Sequence, residues 1–294
     1  MTNVIQNIID ALALGSLYAL FALGVALIFG IMRLVNFAHG ELIMVAAYTL
    51  VLVGDVPFVV KIAAAIAVAI VIALVMERVA MRPVRDSSPT TLLITSFAVS
   101  YLLQNLAILI LGSTPRSGQV SGALSKSFQI GDVSISKLNV VTIVVTLALL
   151  GGLGLFLNRT AVGVQMRAAA ENFRMARLLG VPANRVIATA FGISGLLAAI
   201  AAIFLTAQTG TVSPTLGLTP VLFAFMATVL GGLGSLSGAV VGGFLLGGAS
   251  VALQALLPVG ISGYRDAFLF GAVLLVLVLR PQGLIVPRTA VTRI

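Results

Sequence analysis

The sequence predicts an all-α polytopic integral membrane protein, and three observations carry that reading. Of its 294 residues, 60% are hydrophobic and only 9% are charged. An ordinary soluble domain carries about 25% charged residues. The mean hydropathy is +1.19, and the uncharged runs approach or exceed the ~18 residues that argue for a membrane span. All ten prolines lie between the runs or at their edges. Proline lacks the backbone donor that a helix in lipid needs, so it collects where helices stop.

The runs are, in order, Ala11–Ile31, Leu34–Val53, Phe58–Met76, Thr91–Leu111, Val140–Leu157, Val186–Thr206, Val221–Leu257 and Ala267–Leu279. No basic n-region precedes the first, and it is read as a retained helix rather than a signal peptide. The seventh is too long for one span at ~1.5 Å per residue. The segment from Gly231 to Gly238 divides it, with Gly231, Gly232, Gly234 and Gly238 in eight residues. Irregular backbone at membrane depth is tolerated only where protein or a water-filled cavity covers it. The reading is therefore eight or nine crossings in a single domain, residues 1–294, with no internal repeat legible.

Twelve basic residues fall in one set of alternate loops: Arg33, the stretch 77–90, the stretch 158–185 and the C-terminal tail. The other set holds five: Lys61, Arg116, Lys126, Lys137 and Arg265. The positive-inside rule places the richer set in the cytoplasm. With nine crossings the N-terminus is outside and the C-terminus cytoplasmic. The formal charge of +9 is thus an orientation signal rather than a nucleic-acid footprint. In the extracytoplasmic loop 113–139, two short alternating segments flank Gly131-Asp132 and predict a hairpin.

The chain has no cysteine and no tryptophan, and one histidine, His39. That excludes disulfides and thiolate chemistry, and no cluster suited to catalysis or metal binding is present. No phosphate-binding Gly-rich loop with Lys occurs. By default such a chain is a transporter, a channel or a structural subunit.

Three sets of residues stand out. In 158–185, Thr160–Leu179 is read as one helix ended by Gly180 in a left-handed cap, with Pro182 preventing continuation. At 100° per residue, Arg167, Glu171, Arg174 and Arg177 share a stripe, and Met166, Phe173 and Leu179 offer apolar anchors. This helix either docks into a cytoplasmic partner or lies on lipid phosphates. Asn36, His39, Gly40 and Glu41 stand just inside the second run, as a polar hinge or gate or as a helix break at headgroup depth. His39 and Glu41 point about 200° apart on a helix. Ser96, Ser100 and Gln104, at i, i+4 and i+8, form a polar stripe that faces the pathway, a partner, or another helix of the same chain. Gly234, Gly238 and Gly242 follow the four-residue spacing that lets helices approach closely, or else line the substrate path.

The segment from Met166 through Glu171-Asn172 to Gly180-Val181 and Arg185-Val186-Ile187 resembles the coupling loop of ABC-importer permeases. It is similar in particular to the LivH-type permease subunits of branched-chain amino-acid importers. Leu34–Glu41, the glycine segment from Val229 to Ala239, and Arg280-Pro281-Gln282-Gly283-Leu284 resemble further family motifs in the expected order. The resemblance implies a non-catalytic subunit of a bacterial inner-membrane importer. A second related permease, two ABC ATPase subunits that hold ATP-Mg, and a periplasmic binding protein would complete it, with no cofactor on this chain. Relatives import leucine, isoleucine and valine, and others urea or short amides. A proton-coupled secondary transporter using Glu41 and His39, and a channel or structural subunit, are the rival readings.

Overall fold

A computed structural model describes residues 2–54, 56–118, 127–130, 133–258, 260–280 and 283–285. The membrane elements are α1 (Thr2–Met32), α2 (His39–Leu52), α3 (Phe58–Met76), α4 (Pro89–Leu111), α5 (Lys137–Arg159), α8 (Ala183–Thr209), α9 (Leu218–Gly231), α10 (Leu236–Leu256) and α11 (Arg265–Leu279). Two shorter helices, α6 (Ala161–Glu171) and α7 (Phe173–Leu178), lie between α5 and α8. Among the described residues seven helical stretches are long and apolar enough to cross a membrane, while α2 and α9 have 14 residues each. At 1.5 Å per residue each of these covers about 21 Å, short of the ~30 Å hydrocarbon core. Each is preceded by non-helical chain, residues 33–38 before α2 and 210–217 before α9.

The second apolar run is therefore not one helix from Leu34, as the sequence suggested. It is an unwound stretch, residues 33–38, followed by α2. The unwinding is paid locally in hydrogen bonds: Arg33 takes a positive φ of 55°, and Asn36 Oδ1 accepts from Ala38 N–H at 3.2 Å. Ser96 Oγ on α4 accepts from Phe37 N–H at 3.4 Å. The glycine turn in the seventh run is where the sequence put it. Gly232 and Gly234 have φ of 109° and 88°, and Ser235 caps α10 by accepting from Gly238 N–H at 3.0 Å.

A repeat that the sequence hides emerges in the packing. Helix α1 packs on α10 as α8 packs on α3, α1 on α9 as α8 on α2, α2 on α3 as α9 on α10, and α2 on α4 as α9 on α11. In both sets a full-length helix leads through irregular chain into a half-length one. The two sets form a structural repeat, with α5 to α7 as the linker.

Small residues carry both equivalent interfaces. Ala65, Ala69 and Ala73 of α3 are fully buried, and a Cβ on Gly195 of α8 would lie 2.9 Å from Ala69 O. On the other side, a Cβ on Gly243 would come 2.5 Å from Ala19 Cα, and one on Gly247 2.3 Å from Gly15 Cα. Close approach of this kind replaces the hydrophobic drive that lipid removes.

The hairpin strands are present, Ser127–Ile130 paired antiparallel with Val133–Ser136; the turn, Gly131-Asp132, lies outside the described residues. Arg116–Ser117 and Thr211–Val212 form a second short ladder at the same end of the bundle. Gly247→Leu is expected to destabilise the folded protein by about 1–3 kcal/mol or more, as overpacking does. Gly248→Leu, with open space around its Cβ, is expected to be tolerated. Thermal inactivation of the two purified variants checks the contrast.

Candidate functional site

The half-helices α2 and α9 begin against one another. A Cβ on Gly40 would sit 2.1 Å from Gly217 O, and one on Gly217 2.4 Å from Gly40 O. Only glycine allows two helix starts to approach so closely. Glu41 and His39, on the first turn of α2, point away from each other as the helical spacing requires. His39 Nδ1 lies 2.9 Å from Ser194 Oγ on α8, and Ser194 also donates to Gly24 O on α1 at 3.2 Å. Its ring fills the space over Gly24, where a Cβ would come 2.2 Å from Cε1.

Glu41 turns to α4. Its Oε1 accepts from Ser100 Oγ at 2.9 Å and from Gln104 Nε2 at 2.8 Å. The polar stripe Ser96, Ser100 and Gln104 thus meets the unwound stretch and α2 of its own chain. Phe37 adds an apolar clasp, stacking on Phe97 of α4 at 4.2 Å and tilting against Phe225 of α9 at 5.9 Å. Asn36 Nδ2, His39 Nε2 and Glu41 Oε2 are buried without a hydrogen-bond partner. His39 and Glu41 are bonded to different helices, and no chain of hydrogen bonds joins them among the described residues.

The predicted helix Thr160–Leu179 is two helices. Asn172 takes an extended conformation, φ −149° and ψ 97°, and its Oδ1 accepts from Met175 N–H at 3.0 Å. It therefore ends α6 and caps α7, and the stripe is split: Arg167 and Glu171 belong to α6, Arg174 and Arg177 to α7. The helix reading failed because Asn172 was taken as an ordinary helical position, although Asn is a strong N-cap. Gly180, with φ 87°, closes α7 as anticipated.

The expected anchors Met166, Phe173 and Leu179 differ in exposure. Met166 is buried, on the face of α6 turned to the bundle, and Phe173 is half-buried. Leu178 and Leu179 are instead 81% and 80% exposed. They form an apolar tip flanked by the exposed Arg174 and Arg177.

One functional candidate escaped the sequence reading. Arg33, the residue with positive φ, donates from Nη2 to Ala170 O in the last turn of α6 at 3.2 Å. Its Nη1 lies 3.1 Å from where a Cβ on Gly234 would stand. A cation on the carbonyl end of a helix is favourable. Arg33 thus touches α6, the glycine turn and the unwound stretch together. It was counted in the sequence only as a loop charge; an arginine directly before a polar-flecked apolar run was the available signal.

The glycine segment is chiefly packing. A Cβ on Gly231 would lie 1.8 Å from Gly238 O, one on Gly242 2.0 Å from Ala227 O, and one on Gly283 2.7 Å from Gly232 Cα. The chain after α11 completes the end of α9: Leu284 N–H and Ile285 N–H donate to Leu230 O and Gly231 O at 2.9 and 3.1 Å. Of the C-terminal motif, Pro281 and Gln282 lie outside the described residues.

An apolar helical bundle with a structural repeat, two half-helices meeting start to start, and a pair of amphipathic helices at one end is the architecture of a polytopic membrane protein. The chain belongs to the family described as branched-chain amino acid transport system / permease component, which it matches over residues 7–278. It is 37% identical to the high-affinity branched-chain amino acid transport system permease protein BraD of Pseudomonas aeruginosa, over 96% of both chains. It is 35% identical to the LivH permease protein of Escherichia coli K12, over 96% of this chain and 95% of that one. A probable LivH of Methanocaldococcus jannaschii is 28% identical over 81% of this chain and 77% of that one.

Glu41→Ala leaves Ser100 and Gln104 without their acceptor in an apolar setting. It is expected to cost about 1–3 kcal/mol of stability, whereas Glu41→Gln, which keeps an acceptor oxygen, costs less. Thermal denaturation of both variants in one detergent measures the difference.

Proposed function

We propose that this chain is one permease subunit of an ATP-driven ABC importer that moves branched-chain amino acids into the cytoplasm by alternating access. The single observation that carries the reading is near full-length similarity to permease proteins named for that transport. The other components are a second related permease, two ABC ATPase subunits that hold and hydrolyse ATP-Mg, and a periplasmic binding protein. This subunit is non-catalytic and sits in the cytoplasmic (inner) membrane of a bacterium.

The sidedness follows from the positive-inside rule: α6, α7, the glycine turn and the C-terminus face the cytoplasm, and the two short ladders face outward. Helices α6 and α7 are the ATPase-docking element. Leu178 and Leu179 are the buried anchors of that contact and Arg167, Glu171, Arg174 and Arg177 its charged rim, since anchors carry most affinity and rim charges set register and encounter rate. Arg33 is the link inward. A shift of α6 moves the carbonyl that holds Arg33, and with it the stretch 34–38 and the start of α2. The junction of α2 and α9 is the element that rearranges, because two glycine-mediated helix starts can part without breaking an intrahelical ladder. The bonding of His39 to α8 and of Glu41 to α4 favours this hinge reading over a proton relay.

Double substitution of Leu178 and Leu179 by Ser is expected to lower ATPase co-purification at least about tenfold, and Glu171→Arg to weaken it less. Arg33→Gln is expected to leave the ATPase bound while substrate-stimulated hydrolysis falls. Co-purification and hydrolysis assays on the assembled transporter decide it. Retention of both activities in all three variants would remove α6, α7 and Arg33 from coupling.

A cysteine at Asn172 in this cysteine-free chain should be shielded from an impermeant thiol reagent in intact cells, and one at Gln129 should react. Labelling of position 172 from outside would reverse the assigned topology.

A further inference from the structure

At the end of the bundle that carries the short ladders, a cavity of about 660 Å³ opens between α1, α5, α8, α9, α10 and α11. Its size fits a single small solute with some water, within the ~300–1,000 Å³ of ligand pockets. Its floor is aromatic and apolar. Tyr18 and Phe223 stack at 4.6 Å, with Leu17 and Phe21 beside them. Its wall is uncharged and polar: Gln208, Thr209, Ser213 and Thr215.

Three charged side chains line it: Asp10, Arg265 and Asp266. Asp10 accepts from Asn139 Nδ2 at 2.9 Å and from Gln6 Nε2 at 3.2 Å, both neutral donors. No cation pairs with it among the described residues, so a carboxylate stands in the cavity with acceptor capacity to spare. Arg265 donates from Nε and Nη2 to Asp266 and from Nη1 to Gln254 Oε1. A guanidinium has five N–H donors, so two remain. One face of the cavity therefore lacks a cation, and another offers unused guanidinium donors.

We infer that this cavity is an outward-facing binding site for a zwitterionic α-amino acid with an apolar side chain. Its ammonium group is received by Asp10, its carboxylate by Arg265, and its side chain by the Tyr18–Phe223 floor. Arginine is the residue suited to a carboxylate, and a charge-assisted hydrogen bond at each end is stronger than a neutral one. A free acid or a free amine meets only one of the two. The site rests on the importer reading for its substrate class but not for its geometry. It deepens that reading by giving the permease its own selectivity, apart from that of a binding protein.

The test uses cells with the complete transporter, made into spheroplasts and washed free of periplasmic proteins. Thr215, which is exposed to the cavity, is replaced by Cys in this cysteine-free chain. Its modification by an impermeant maleimide is followed by mass on this subunit. The probes are L-leucine, 3-methylbutylamine, which lacks the carboxylate, and 4-methylpentanoate, which lacks the ammonium group. L-Leucine at ten times its Kd should slow labelling about tenfold, and each single-charge analogue at the same concentration should leave the rate within about twofold. Asp10→Asn and Arg265→Gln, each combined with Thr215→Cys, should still label but lose the protection. Absence of labelling, absence of protection, equal protection by either analogue, or protection that survives both substitutions overturns the site. Leucine uptake dependent on ATP, measured in unwashed cells, separates the two claims. Protection without such uptake sinks the importer reading alone, and uptake without protection sinks the site alone.

Discussion

Backbone hydrogen bonding without water is the constraint on which this fold turns. In hydrocarbon every N–H and C=O must find a partner in protein, and a half-length helix exposes its unpaired first turn at membrane depth. The chain solves this twice with the same device. Helices α2 and α9 begin against one another, at Gly40 and Gly217, deep in protein rather than lipid. The chain leading into α2 is stitched by Asn36 and Ser96. The far end of α9 is closed by Leu284 and Ile285. From that pairing follow the small residues that bring α1, α3, α8 and α10 close around it.

On the function proposed above, a junction built this way is stable as packed and inexpensive to rearrange. Backbone meets backbone at the Gly40–Gly217 contact, with Val221 and the Phe37–Phe225 pair beside it, and Asn36, His39 and Glu41 each keep a buried polar atom unpaired among the described residues. Buried polar groups without partners are costly where they stand, and a second arrangement that pairs them would offset that cost. Arg33 binds this region to the amphipathic helices α6 and α7. A force on α7 thus has a short covalent and hydrogen-bonded route to the membrane centre.

Much of the architecture was legible. Charge and proline located the ends of the runs because lipid tolerates neither unpaired donors nor bare charge. Gly131-Asp132 announced the hairpin strands, and Gly231–Gly238 announced the turn before α10. The unwinding at residues 33–38 was not legible, because no proline or glycine marks it: Leu34-Val35-Asn36-Phe37-Ala38 is as apolar as a helix, and the break is imposed by partners on α4. The structural repeat was hidden for a related reason. Its two halves keep a four-residue spacing of small residues, Ala65, Ala69 and Ala73 on α3 and Ala239, Gly243 and Gly247 on α10, but share little residue identity. In the site, the direction of Glu41 and His39 followed from helical geometry, while their partners Ser100, Gln104 and Ser194 are set by tertiary packing. Asn172 was misread because its capping bond depends on a local backbone turn that periodicity ignores.

The central claim is that the two sides of the α2–α9 junction move together when ATP is bound. Hydrogen–deuterium exchange of the reconstituted transporter, compared between nucleotide-free and ATP-trapped states, reads this directly. The amides of residues 33–41 and 213–219 should change exchange together, in step with those of 161–180. Unchanged exchange on both sides of the junction while α6 and α7 respond, or a change confined to one side, would contradict it.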